Sequence, residues 1–185
     1  VIVPVWEKYD AAPGEVTVLM DPGMAFGTGT HETTRLCAAM LEKYIHGGES
    51  VLDVGCGSGI LAITAAKLGA ADACDIDPQS IKVAKENTVL NSTPCVECAV
   101  SDLLSAVPEK KYDVVCANIV ADVIIRLAPD VGAFMKDGAV LIVSGIISER
   151  ADEVRAALSA NGFEVDSDES ENGWYCAAVK AKRDL

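Results

Sequence analysis

Short apolar runs alternate along this chain with segments whose apolar positions recur every three or four residues. Val51-Leu52-Asp53-Val54 reads as a strand that runs into glycines at 55, 57 and 59, then into an apolar helix over 60–68 that Gly69 ends. Residues 73–76 read as a second strand, and Asp77-Pro78 opens a helix that continues through Asn91. A third strand is expected over 95–100, and a fourth, fully buried one over 112–117. Two helical pieces broken at Pro129 then precede Gly138 and a fifth strand over 139–144. Residues 148–161 carry Val154 and Leu158 on one side and end in the C-cap signal Asn161-Gly162. Strand-like runs at 163–168 and 174–180, joined by 169–173, predict a closing hairpin.

Upstream of the glycines, Leu36, Met40, Leu41 and Ile45 recur at helical spacing until His46-Gly47-Gly48 stops the helix. Val1 to Val5 and Val16 to Met20 are strand-like around the turn cluster 10–14, which predicts a small N-terminal hairpin. Residues 1–20 are therefore expected to be a hairpin or linker remnant and 21–185 the main domain. Alternating strands and helices imply a parallel sheet with right-handed crossovers and helices on both faces. With the terminal pair added, the expected fold is α/β: a doubly wound, mostly parallel, seven-stranded sheet ending in an antiparallel hairpin.

Composition narrows the chemistry. At 185 residues, half of them hydrophobic, the chain suits one domain with a real core. A net charge of −13 works against tight binding to phosphate backbones, which needs clustered Lys and Arg. A basic protein or a small cationic molecule is the expected partner, with no direct nucleic-acid contact. No apolar stretch has membrane length and no signal peptide is present, so a cytoplasmic setting is expected. The seven cysteines are an odd number scattered through core-like segments and read as reduced thiols. Cys95-Val96-Glu97-Cys98 has a metal-like spacing, but no second pair follows and no metal is expected. The start at Val1, already in strand-like sequence, suggests a piece of something longer.

Gly55, Gly57 and Gly59 admit backbone angles closed to other residues and leave room for a ligand to approach the main chain. A dinucleotide turn wants glycine at the sixth place, where Ile60 stands, and a phosphate site gains from a cation, yet 51–66 hold no Lys or Arg. S-adenosylmethionine, with a sulfonium and an ammonium against one carboxylate, suits an acidic neighbourhood better. Asp53 is placed to face that ammonium, directly or through water. The loop from Asp21 to Thr34 is dense in Gly and Thr: Thr30, Thr33 and Thr34 can cap the following helix, or the loop can close over a ligand with Phe26 offering an aromatic face to a cation. Asp75, at the end of the second strand, can accept both hydroxyls of a ribose, while Asp77 before Pro78 is most simply a helix cap. Asp102 follows the third strand and either reaches an adenine amino group or faces solvent. Asn118, delivered by the fourth strand, can donate and accept beside a methyl donor, or can cap the next helix.

This order of parts resembles the class I S-adenosylmethionine-dependent methyltransferases, Rossmann-like enzymes. The loop 21–34, with Asp53-Val54-Gly55-Cys56-Gly57-Ser58-Gly59-Ile60-Leu61, Asp75-Ile76-Asp77-Pro78 and Ala117-Asn118-Ile119-Val120-Ala121, is similar over nearly the whole chain to the methyltransferases of ribosomal protein L-eleven (L11). The resemblance implies that Thr34, Gly55, Asp75 and Asn118 meet the cofactor. It also implies N-methylation of lysine or N-terminal amines of L11, which a separate N-terminal domain, absent from this chain, would grip. The approach to Asp75 is slightly shorter than usual, which keeps Asp77 open as the ribose ligand. Other amine methyltransferases carry Asn-Pro-Pro-aromatic where Ile119-Val120-Ala121 follows Asn118 here. A lysine must lose a proton before attack, and His31 is the candidate base, though alignment by the loop and Asn118 is expected to dominate. The rival readings are methylation of a small amine and a non-catalytic module that binds the cofactor.

Overall fold

The computed structural model describes residues 1–21, 29 and 31–182. Five strands, β3 (Ser50–Val54), β4 (Ala70–Asp75), β5 (Glu97–Val100), β6 (Tyr112–Asn118) and β7 (Met135–Ile147), pair in parallel. The hairpin of β8 (Phe163–Glu171) and β9 (Trp174–Ala181) adds antiparallel strands through β9, giving the order β5-β4-β3-β6-β7-β9-β8. On one face lie α1 (Glu32–Tyr44), α2 (Ile60–Leu68) and α3 (Pro78–Leu90); on the other lie α4 (Ala121–Val131) and α5 (Ala151–Ala160). Alternation along β3 explains the two cores, since Val51 joins the first cluster and Leu52 and Val54 the second. Among the described residues no helix is long and apolar enough to cross a membrane.

Three expectations change. The N-terminal segments, β1 (Ile2–Pro4) and β2 (Val18–Met20), form a parallel ladder and not a hairpin, with Val18 N donating to Val1 O at 2.8 Å and Val5 N to Met20 O at 3.1 Å. A hairpin needs a tight loop, whereas residues 5–17 are long enough to carry the chain back to its starting edge. Pro129 does not break α4, because Ile124, Leu127, Ala128 and Val131 are buried and packing holds the helix past one missing donor. The fifth sheet strand extends well beyond 139–144. β6 pairs with it back past Gly138 to Met135, and β9 pairs with it on past Gly145 to Ile147, each with a register shift at the glycine it passes.

The N-terminal ladder is fastened to the domain by two buried asparagines, Asn87 within α3 and Asn91 at its C-cap. Asn91 exchanges hydrogen bonds with both backbone groups of Leu19. Asn87, 1% exposed, accepts from Asp21 N and donates to Asp21 O and Ser58 O, tying the end of β2 to the glycine turn. An Asn87→Ala variant removes all three of these hydrogen bonds and opens a void at a buried position. It is expected to lower the unfolding free energy by about 2–4 kcal/mol in urea titrations; a loss below about 0.5 kcal/mol would show that the link is dispensable.

Candidate functional site

A cleft of about 570 Å³ opens at the carboxyl ends of the parallel strands. It lies where the chain's crossovers diverge from β3 toward β4 on one side and from β6 toward β7 on the other, the place in an open α/β sheet where ligands gather. Its volume lies within the range of small-molecule sites.

The turn after β3 forms one wall. Gly55 has φ +76°, and Gly57 and Gly59 share the left-handed region, as the spacing predicted. Asp75 secures this turn: its Oδ2 accepts from Gly57 N and its Oδ1 from Asp77 N, both at 2.9 Å. Each carboxylate oxygen keeps a lone pair after those bonds, so Asp75 can still accept two hydroxyls from the cleft it lines. Asp77 is an N-cap, accepting from Gln79 N at 2.9 Å and from Ser80 Oγ at 3.2 Å. It is exposed and does not line the cleft, which corrects its inclusion among the cofactor ligands.

Asp53 is also corrected. It is 1% exposed, absent from the cleft wall, and points into the layer beneath the turn. There its Oδ2 accepts from Ala62 N at 3.0 Å, and Cys116 Sγ lies 3.4 Å from Oδ1. Gly59, the N-cap of α2, has no side chain to offer, so Asp53 supplies the missing cap from the adjacent strand. Burial pushes its pKa up to about 7, with the Asp75 charge adding to the rise and the bonds from Cys116 and Ala62 opposing it. A carboxyl whose folded pKa exceeds its unfolded value of 3.8 contributes stability that is complete below that lower value and lost as pH rises through the upper one. Stability is accordingly expected to fall by about 1 kcal/mol per pH unit between about pH 5 and 7, and Asp53→Asn to flatten that slope. Parallel urea series on both proteins check this; identical slopes would refute it.

The other wall begins at Asn118, the last residue of β6, whose side-chain amide makes no hydrogen bond to any described residue. It does not cap α4, where Val120 holds the N-cap position without a side-chain bond. Asp102 lines the cleft beyond β5 and faces Arg126 at 3.5 Å. Ser101 locks that loop by donating to Leu103 O and accepting from Ala106 N. The charged side chains of the cleft's described lining are therefore Asp75, Asp102 and an Arg126 already opposite an acid, which suits a cationic ligand better than a pyrophosphate.

At the start of α1 the helix cap is His31, not a threonine: its Nδ1 accepts from Thr33 N at 3.3 Å and lies 2.9 Å from Thr33 Oγ1. His31 and Thr33 line the cleft, while Thr34 faces inward, 1% exposed, with its hydroxyl unpartnered among the described residues. Like Asp53, Thr34 is absent from the cleft wall, so the structure does not bring its hydroxyl to the cleft with Asp75 and Asn118. Phe26 and Thr30 lie outside the described residues.

The sequence reading missed Trp174 and Gly145, both of which line the cleft. Trp174 begins β9 directly after the tight Asn172-Gly173 turn and meets the His31 ring edge-on, centroids 4.8 Å apart. A glycine inside an apolar strand run was the available signal for Gly145, since such a position often marks the close approach of another backbone. Asp75 with free lone pairs, the unengaged Asn118 amide and the acidic lining together fit S-adenosylmethionine.

A family model described as "Ribosomal protein L11 methyltransferase (PrmA)" matches residues 1–182. A ribosomal protein L11 methyltransferase of Clostridium botulinum (strain Eklund 17B / Type B) is 47% identical over 98% of this chain and 58% of its own length. One from Caldanaerobacter subterraneus subsp. tengcongensis is 46% identical over 98% of this chain and 59% of its own. The chain thus spans a little under three fifths of the curated relatives it matches. The crystal structure of a ribosomal protein L11 methylase from Lactobacillus delbrueckii subsp. bulgaricus superposes with a TM-score of 0.93 at 34% identity, covering 98% of this chain and 94% of that one. A precorrin-6y C5,15-methyltransferase from Geobacter metallireducens GS-15 shares the fold alone, with a TM-score of 0.70 at 16% identity over 82% of this chain and 90% of that one. The fold is that of the class I S-adenosylmethionine-dependent methyltransferases, and the chain belongs to the ribosomal protein L11 methyltransferase family.

Proposed function

We propose that this chain is the catalytic part of an S-adenosylmethionine-dependent protein N-methyltransferase whose acceptors are lysine ε-amino or N-terminal amino groups of ribosomal protein L11. The observation that carries the reading is the facing of Asp75, braced on the glycine turn, and the unengaged Asn118 amide across one cleft. When bound, S-adenosylmethionine supplies a methyl group on a positively charged sulfur. Asp75 would hold the ribose hydroxyls, the backbone at Gly55 and Gly57 would take the amino-acid end, and Asp102 would receive the adenine amino group.

On the acceptor side the Asn118 carbonyl accepts an amine N–H and turns the nitrogen lone pair toward the cleft. Ile119, Val120, Val123 and Trp174 surround that place with apolar surface. Such surroundings disfavour a charged ammonium and so promote loss of its proton before attack. His31 Nδ1 is committed to the start of α1, so His31 is assigned to holding that wall and not to proton transfer. Orientation of the amine and exclusion of water then supply the acceleration, and for such alignment several kcal/mol are available. The net charge of −13 favours a basic protein partner. A separate N-terminal domain would grip L11, in the cytoplasm where the ribosomal protein is made.

Mass spectrometry of L11 incubated with S-adenosylmethionine and the full-length protein, beside this chain alone, tests the reading, with added methyl groups expected on L11 amines from the full-length protein. Methyl transfer to free small amines but never to L11 would favour the small-molecule reading. Cofactor uptake by calorimetry with no transfer to any acceptor would favour a binding module.

A further inference from the structure

Asn118 has no side-chain hydrogen bond among the described residues to hold it in place, so its position must come from the backbone. The residue after it is confined on two sides. Ile119 N donates to Ser144 O at 3.1 Å, continuing the pairing of Asn118 with Ser144. At the next position of β7, Gly145 has φ +79°, and a methyl group there would lie 2.6 Å from Ile119 O and 2.9 Å from its N and C. Those distances are far inside the contact distances of nonbonded atoms. On the opposite side a methyl at Gly55 would lie 2.5 Å from Ile119 Cγ2. Ile119 therefore fills the space between the turn expected to hold the methyl donor and the strand beside the Asn118 amide. It lines the cleft, half-buried, and touches the sheet's second core only at its margin.

We propose that Ile119 is a positioning residue: wedged between Gly55 and Gly145, it sets the distance from the donor turn to the Asn118 amide. The proposal rests on the methyl-transfer reading for its kinetic consequence, though not for its structural one. Removal of the γ-carbons frees the 118–120 backbone to drift toward Gly55, whereas valine keeps Cγ2 in place. An alanine at Gly145 displaces the same peptide from the other side.

The test compares Ile119→Ala, Ile119→Val and Gly145→Ala. Ile119→Ala and Gly145→Ala are expected to lower kcat by about ten- to a hundredfold with the Kd for S-adenosylmethionine changed less than about threefold, while Ile119→Val stays near wild type. In an Asn118→Ala background, Ile119→Ala is expected to lower kcat no further, because the two act through one contact. Independently of activity, the Asn118 side-chain amide resonances of the free protein are expected to be sharp and alike in wild type and Ile119→Val, but shifted or broadened in Ile119→Ala and Gly145→Ala. Unchanged resonances in Ile119→Ala would overturn the proposal, as would a kcat loss fully additive with Asn118→Ala. A wild-type full-length protein without transferase activity would sink the proposed function, and the resonances would still decide the role of Ile119.

Discussion

Asn118→Ala is expected to lower turnover by about a hundredfold while the Kd for S-adenosylmethionine shifts by less than about threefold. The reason is geometric. The amide hangs at the end of β6 over the cleft, caps no helix and bonds to no described side chain, so its removal leaves the scaffold intact. What it would hold is the acceptor nitrogen, and an amine free to rotate presents its lone pair in the wrong direction most of the time. Single-turnover rates measured alongside calorimetry separate the two quantities. Unchanged turnover rejects the role, and equal losses in rate and affinity would move Asn118 to the cofactor side.

Asp75→Ala is expected to weaken S-adenosylmethionine binding by at least about a hundredfold, and Asp77→Ala by less than about threefold. Asp75 does two jobs with one carboxylate: it braces the turn through Gly57 N and the next loop through Asp77 N, and its remaining lone pairs face the cleft. A bond to a charged group contributes about 1.5–3 kcal/mol, so losing two to the ligand alone reaches the hundredfold level. Asp77 spends its oxygens on Gln79 N and Ser80 Oγ at the head of α3. Its loss is expected to cost about 1 kcal/mol of stability, the usual effect of a missing cap. Calorimetric titrations with thermal melts on both variants check the pair. A larger affinity loss in Asp77→Ala would reverse the assignment.

Much of the site was legible because its signals are local. A glycine at every second position after an apolar strand, an acid at the end of the next strand and an aspartate before proline each report a backbone conformation decided by a few neighbouring residues. The division of labour between Asp75 and Asp77 follows from such local rules. Asp53 was misread for the opposite reason. Its place before the glycines says that it is near the turn, but only the packing of α2 over β3 turns its carboxylate inward to the amide of Ala62. His31 likewise took the cap that three nearby threonines seemed equally fit to supply, because its ring has a second surface to lean on in Trp174. Trp174 and Gly145 lie far from the motif residues along the chain and reach the cleft only through the sheet order.

By itself the sequence determined the alternation of strands and helices, the two-sided burial of the central strands, the glycine turn and the acids around it. These depend on side-chain period and on which backbone angles a residue tolerates, which are properties of short segments. Tertiary structure alone decided the parallel sense of the N-terminal ladder, the inward role of Asp53, the passage of α4 through Pro129 and the wedging of Ile119 between two glycines. Each of those depends on atoms brought together from distant parts of the chain, and such contacts exist only once the layers have packed.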